Sequence, residues 1–431
     1  MNLAAMGSLL LLFSPALSQD LARPSVRSKA LAAFVKGEVL VSAIRGMDLE
    51  VKMGLGQIGL EVLEQDVRSG LMRLSVPNGQ EVAWTQLLGT WPAIRYAETN
   101  GLGRGGYEPD DTSYFRQWHL ANTDLNPGFI GADIQAQGAW NVTTGSSSIV
   151  VAVLDTGIDS DHPDFAGRIH PAGMDFVNGD NNPEADHPHG TWVSGCLGAN
   201  GDNGFGVAGV DWNCRILPIK VLDANNAGTT FNLAQALNYV AVQPDVQVIS
   251  MSLINYPGNM TLINALQGAR DAGKILMACA GNGGLGNADV SFPGASPLTI
   301  SIGATTAGDA RASFSGTGSA LDFVAPGSSI VTTKHGSNSS TAVDTVSGCS
   351  FATPIASGIV SLLLALAEER GLTLDQDGIY DLLLKGAEDQ VGIPSQDTPG
   401  RDNFHGHGRL NAFRSLGRLL SSGQKRAAKS M

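Results

Sequence analysis

A chain of 431 residues, 43% of them apolar, is long enough for a large core and more than one domain. Its 54 glycines follow no three-residue period, which excludes collagen. With 27 Lys+Arg against 40 Asp+Glu the formal charge is −13, which argues against nucleic-acid binding and is compatible with bound cations.

The first residues predict a secretory signal over 1–18. Leu9 to Phe13 is a short apolar region and Ala16-Leu-Ser18 a small-x-small cleavage site, although no Lys or Arg precedes them. No other stretch reaches the roughly 18 apolar residues of a membrane span. The protein is therefore expected to be secreted or periplasmic, with no membrane partner. After an N-terminal segment (19–34), residues 35–100 form a small unit. Gly37 to Ser42, Gly70 to Ser75 and Ile94 to Glu98 predict strands, and 48–64 and 81–88 have helical spacing. That order predicts a small α+β sandwich. Gly101 to Tyr107 is then an exposed linker, easily cut.

The large unit, 108–420, alternates buried strands with helices. Short apolar runs at 149–154, 216–221, 246–253, 275–280 and 298–302 are interleaved with helical patterns at 232–242 and 261–272. Such alternation predicts an α/β fold, a parallel sheet flanked by helices on both faces, with sites at the carboxyl ends of strands. A further apolar run from Ile355 to Ala367 predicts a buried helix, with Pro354 in its first turn and Ser350 at its start, where backbone N–H groups and the helix dipole favour negative charge. The tail from Ser421 (421–431) is basic, small-residue-rich and expected to be disordered.

Four cysteines, Cys196, Cys214, Cys279 and Cys349, allow three complete pairings. Cys196 with Cys214 is the expected pair, being close in sequence, while Cys279 and Cys349 can equally be buried thiols. None has CxxC spacing, so no zinc site is expected of them.

Four motifs carry chemistry. Val153-Leu-Asp-Thr-Gly-Ile-Asp159 puts Asp155 at a strand end. His187-Pro-His-Gly-Thr-Trp-Val-Ser-Gly195 puts His189 at the start of a glycine-flanked helix. Ala278-Cys-Ala-Gly-Asn-Gly283 exposes the Asn282 amide on a turn, and Gly348-Cys-Ser-Phe-Ala-Thr-Pro354 presents Ser350. Together they resemble the subtilisin-like serine proteases (subtilases), whose triad follows the order Asp, His, Ser. The resemblance covers about residues 108–415 and implies a secreted endopeptidase acting on protein or peptide substrates through an acyl-enzyme. By that resemblance Ser350 is the nucleophile, His189 its base, Asp155 the group that orients the imidazole, and Asn282 an oxyanion-hole donor. Ser252 and Leu253 would line the cleft.

Several residues depart from the family pattern. Trp192 stands where a second His is usual, Cys349 for Thr, Phe351 for Met, and Ile254 where a Gly follows Ser-Leu. A branched side chain at 254 is expected to narrow the primary specificity pocket. Ile254 and Trp192 raise the alternative of a catalytically silent relative that binds peptides or proteins through the same cleft. The resemblance also implies a structural Ca²⁺ held by oxygen ligands: Asp164, Asn203 (with Asp202 as rival) and Gln117. It makes the 35–100 unit a ferredoxin-like propeptide, inhibitor and folding aid of a monomeric enzyme.

Two other chemistries find less support. Asp159, Asp161, Asp186 and His187 crowd the same region but show no HExxH or other zinc-ligand spacing. Asp155-Thr-Gly resembles an aspartic-protease signature, yet that chemistry needs a second such carboxylate and the chain has none. His119, His170, His335, His405 and His407 read as ordinary surface or core histidines.

Overall fold

The computed structural model describes residues 34–44, 46–67, 69–77, 79–101, 108–123, 128–286 and 289–427. The expected signal segment, nearly all of the 19–34 segment and linker residues 102–107 lie outside the described residues. The chain divides into two compact units, one ending at Gly105 and the other beginning at Gly106.

The first unit runs β1 (Phe34–Ala43), α1 (Asp48–Gln57), β2 (Glu61–Asp66), β3 (Leu71–Ser75), α2 (Glu81–Leu88) and β4 (Ile94–Gly101). Its antiparallel sheet has the order β2-β3-β1-β4, a ferredoxin-like arrangement. Val39, Val41, Met72 and Leu74 alternate inward from the sheet onto Val51, Leu55 and Leu88 of the helices. One expectation is corrected here. The helix predicted over 48–64 stops at Gln57, because Gly59 turns the chain with φ +76°, and the remaining residues form β2.

The second unit contains α3 (Ala136–Trp140), β5 (Val150–Asp155), β6 (Met174–Asp175), α4 (His189–Gly198), β7 (Arg215–Lys220), α5 (Thr230–Ala241), β8 (Val246–Met251), α6 (Met260–Asp271) and β9 (Ile275–Cys279). It continues with β10 (Ile300–Thr305), β11 (Phe323–Pro326), β12 (Ile330–Thr333), β13 (Val343–Val346), α7 (Cys349–Glu369), α8 (Gln376–Gly386) and α9 (Ala412–Ala427). The sheet β11-β10-β9-β8-β5-β7-β6 is parallel throughout. Its strands are buried on both faces, which is why they read as continuous apolar runs. One face packs on α4 and α7, the other on α5 and α6. Thr229 and Asn259 cap the last two helices with their side-chain oxygens, so each begins slightly before its apolar periodicity does.

Three further expectations are corrected. Helix α7 begins at Cys349, so Pro354 falls in its second turn rather than its first. That helix, 21 residues long and buried from Cys349 to Ala367, has the length and composition to cross a membrane and serves here as the core helix. Finally, α9 continues to Ala427, into the region expected to be disordered, consistent with the helix-forming Gln, Lys, Arg and Ala of its sequence.

Candidate active site

Strand β5 delivers Asp155 fully buried at its carboxyl end. Beyond it Thr156 ties the strand to α4: its Oγ1 donates to the His187 carbonyl and accepts from the Gly190 N–H, both at 2.9 Å. A side chain at 190 is impossible there, since a Cβ would lie 1.9 Å from the Gly157 carbonyl oxygen. This close approach places His189, the first residue of α4, against Asp155. Nδ1 of His189 and Oδ1 of Asp155 are 2.7 Å apart, and Oδ1 also accepts from the Thr156 N–H at 2.8 Å. Burial disfavours the imidazolium, but the Asp155 charge and hydrogen bond outweigh it, so the His189 pKa lies above its usual value.

His189 also lines a cleft of about 680 Å³, together with Ser350, Asn282, Ser252, Leu253 and Ile254. Ser350 is the second residue of α7, where the backbone N–H has no acceptor within the helix. Asn282 follows β9, and its Oδ1 accepts the Cys349 N–H at 2.9 Å, which leaves the Nδ2 donors at the other end of the amide. Strand β8 stops at Met251, earlier than its apolar run, and residues 252–254 pass along the cleft. The Ser252 hydroxyl donates to the Ser350 carbonyl at 2.7 Å. Leu253 is buried and also joins the core beneath, whereas Ile254 is half-buried.

Three of the departures from the family pattern meet in this site. The Phe351 ring lies 5.8 Å from that of His189 and 6.4 Å from that of Trp192, while Trp192 Nε1 donates to Asp344 at 2.8 Å. Cys349 donates through Sγ to the Gly281 carbonyl, 3.0 Å away. The expected Cys196–Cys214 disulfide is absent: all four cysteines are buried free thiols. Cys196 is hydrogen-bonded to Thr332 and Cys214 accepts from Arg168, and burial pushes both thiols up to about 12.

The residues nominated for a cation are only partly brought together. Asp164, fully buried, accepts from Asn203 Nδ2 and from the Val207 N–H, each at 3.1 Å. Gln117 is occupied elsewhere, its Oε1 accepting the Ala208 N–H at 2.9 Å and its Nε2 donating to the Ala208 carbonyl at 2.8 Å. The residue that sequence reasoning missed is Asp111. It is buried, accepts the Asp202 N–H at 2.8 Å through Oδ2, and has an Oδ1 with no partner among the described residues. Burial pushes Asp111 up to about 6 and Asp164 up to about 7, the latter helped by the Asp111 charge. Two enclosed carboxylates, of which Asp111 raises the proton affinity of Asp164 and has an oxygen with no partner among the described residues, suit a hard cation.

Comparison with known proteins gives a consistent picture. The subtilase family model matches residues 146–408. A thermophilic serine proteinase of Bacillus sp. (strain AK1) is 32% identical over 387 residues, 89% of this chain and 88% of that protein. Thermitase of Thermoactinomyces vulgaris is 37% identical over 230 residues, 53% of this chain and 79% of its own length. A cell wall-associated protease of Bacillus subtilis (strain 168) is 34% identical over 328 residues, which are 71% of this chain but 35% of that longer protein.

Proposed function

The chain belongs to the subtilase family and is a subtilisin-like serine endopeptidase; from that premise we propose that Asp155, His189 and Ser350 are its triad and Asn282 its side-chain oxyanion donor. The carrying observation is the 2.7 Å bond between enclosed Asp155 and His189 at the wall of the cleft that Ser350 and Asn282 also line. A serine hydroxyl is a poor nucleophile without an adjacent base. His189 takes the Ser350 proton as Oγ attacks the scissile carbonyl, and Asp155 holds the tautomer with the proton on Nδ1 and stabilises the imidazolium. Negative charge on the former carbonyl oxygen is met by Asn282 Nδ2 and the Ser350 N–H, donors already in place before the reaction. His189 then returns its proton to the leaving amine, and water reverses the sequence to free the enzyme.

Ser252, Leu253 and Ile254 present the backbone against which an extended substrate would align. We propose a structural Ca²⁺ held by Asp111, Asp164 and Asn203, where the ion would supply positive charge to two buried carboxylates. To ligate the ion Asn203 would have to turn its amide, since Nδ2 donates to Asp164 and Oδ1 accepts the Phe205 N–H; Gln117 is not included, because both ends of its amide are held by Ala208. Export as a monomeric precursor, with the first unit as propeptide, completes the reading. It rests on the apolar stretch at Leu9 to Phe13, the glycine-rich linker and the size of that unit.

Turnover of an unstructured protein substrate tests the triad. Ser350→Ala should lower kcat roughly a millionfold, and Asn282→Ala about 10²–10³-fold. A serine-directed phosphonate should label the parent and not Ser350→Ala. A parent that neither cleaves nor labels would instead support the silent, peptide-binding relative.

A further inference from the structure

His405 lies between α8 and α9, far along the chain from the four motifs, and it is fully buried. Both of its ring nitrogens are enclosed, and neither bonds to any described residue. An imidazole in that condition loses its hydration without compensation, a cost of about 1–3 kcal/mol for each unmet group. One ligand atom each from His405, Asp397 and Asp402 nevertheless lies within 4.8 Å of the others. The ring has no direct bond to either carboxylate, so the three donors converge on one small volume without satisfying one another, as donors to a shared ion do.

The surroundings hold these three groups in position. Asp397 accepts the Gly392 N–H at 2.6 Å and the Gln390 N–H at 3.2 Å. Asp402 accepts from Thr398, Phe404 and His405 N–H groups at 3.0, 2.7 and 2.8 Å. Backbone bonds of this kind orient ligating carboxylates; they occupy Asp402 Oδ1 twice but leave a lone pair on Asp402 Oδ2 and on each Asp397 oxygen. Glycine at 392 keeps the adjoining volume clear. A Cβ there would sit 2.6 Å from His405 Nε2 and 3.2 Å from Asp397 Oδ2.

We propose that Asp397, Asp402 and His405 bind one divalent transition-metal ion, Zn²⁺ by preference, which pins the loop between α8 and α9. Imidazole nitrogen with two carboxylates suits Zn²⁺ and disfavours Ca²⁺, whose ligands are oxygen alone. The fourth position belongs to water, reached past half-buried Asp402. The site is independent of the triad and of the calcium set. The spacing Asp-x4-Asp-x2-His matches none of the zinc patterns sought in the sequence.

The experiment uses the full chain carrying Ser350→Ala, which prevents self-digestion, dialysed against Zn²⁺ with Ca²⁺ present. Bound zinc is counted by atomic emission, and unfolding temperature is followed as zinc rises. The parent should hold a zinc ion that raises its melting point. His405→Gln and Gly392→Ala should weaken that binding by more than about 100-fold, the first by removing a ligand and the second by filling the cradle. Asp402→Asn, at the half-buried position, decides the matter should either buried substitution unfold. Zinc uptake identical in parent and folded variants, or no uptake by the parent at micromolar zinc, overturns the proposal.

Discussion

Ser252 donates its hydroxyl to the carbonyl of Ser350 at 2.7 Å, and that carbonyl is the one Pro354 cannot serve. In a regular helix the N–H of residue 354 would bond to the oxygen of residue 350. Proline has no such hydrogen. The cleft strand therefore completes the helix that carries the proposed nucleophile, and the two elements are held in register.

Ser252→Ala should leave a buried carbonyl unmet and destabilise the protein by about 1–3 kcal/mol. Pro354→Ala in that background restores a donor and should recover about 1 kcal/mol, whereas in the parent it should gain little. Urea unfolding of the four proteins of this cycle measures the coupling. Equal effects of Pro354→Ala in both backgrounds would show that the two residues are independent.

Because Asp155 holds the His189 pKa above the usual imidazole value, the acid limb of kcat/KM should lie above about 6.5. The sign follows from the role: the base must be neutral, so activity rises as pH climbs through that pKa. Asp155→Asn should shift the limb downward and lower kcat about 10⁴-fold. Initial rates on a peptide anilide between pH 5 and 10 test both points; full activity at pH 4 would exclude a histidine base.

Asp164 and Asp111 give the calcium proposal its own pH signature. Their folded pKa values, about 7 and about 6, stand above the ordinary 3.8. Without a cation, their contribution to stability is fully present below about pH 4 and is lost as pH rises through 6 and 7. Calcium should cancel that loss, so the rise in melting temperature on adding Ca²⁺ should grow from pH 5 to pH 8. Asp164→Asn or Asp111→Asn should abolish the rise; Gln117→Ala should lower the melting point equally with and without Ca²⁺. A calcium effect independent of pH would exclude these carboxylates as the ligands.

The four motifs were legible because each is local: a strand end, a helix start or a turn read over six to nine residues. The parallel sheet was equally plain, since buried strands show as unbroken apolar runs. What escaped depends on contacts distant in sequence. Asp111 meets Asp202 through a loop 91 residues away, and nothing in its neighbours marks it out from Asp110. Pro354 reads as an ordinary first-turn proline because the hydroxyl that compensates it comes from Ser252, just beyond the end of β8. His405 looked unremarkable because only the fold discloses that its nitrogens are enclosed. The helix expected to run to residue 64 ends at Gln57, because one glycine, Gly59, overrides the apolar spacing that continues past it.

Ile254 lines the cleft where the family pattern has glycine. Its branched side chain is expected to narrow the primary specificity pocket. Ile254→Gly should raise kcat/KM about 10-fold for peptides with Phe or Leu before the scissile bond, and change it little for Ala. Parallel kinetics on three such peptides settle it. A uniform change across all three would mean that residue 254 affects the chemistry rather than the pocket.

The last prediction joins Ser350 to the unit that ends near Gly105. If that unit is a propeptide, the segment after β4 must reach the cleft and be cut there. Tethering gives the segment a high effective concentration, on the order of millimolar for a short flexible linker. The first cleavage should therefore be intramolecular, with a rate per molecule that does not change on dilution. Wild type should accumulate as a mature form starting within or just after Asn100 to Asp111, together with a free N-terminal fragment. Ser350→Ala should remain joined across that segment and should bind a product-like peptide with no reactive group poorly, since the uncut segment competes for the cleft. Adding wild-type enzyme in trans should cut the mutant at a rate proportional to enzyme concentration. Intact mass spectrometry over time distinguishes the cases. Cleavage of purified Ser350→Ala at the same bond and rate assigns the cut to another enzyme, and a wild type that never loses the unit makes it a permanent domain.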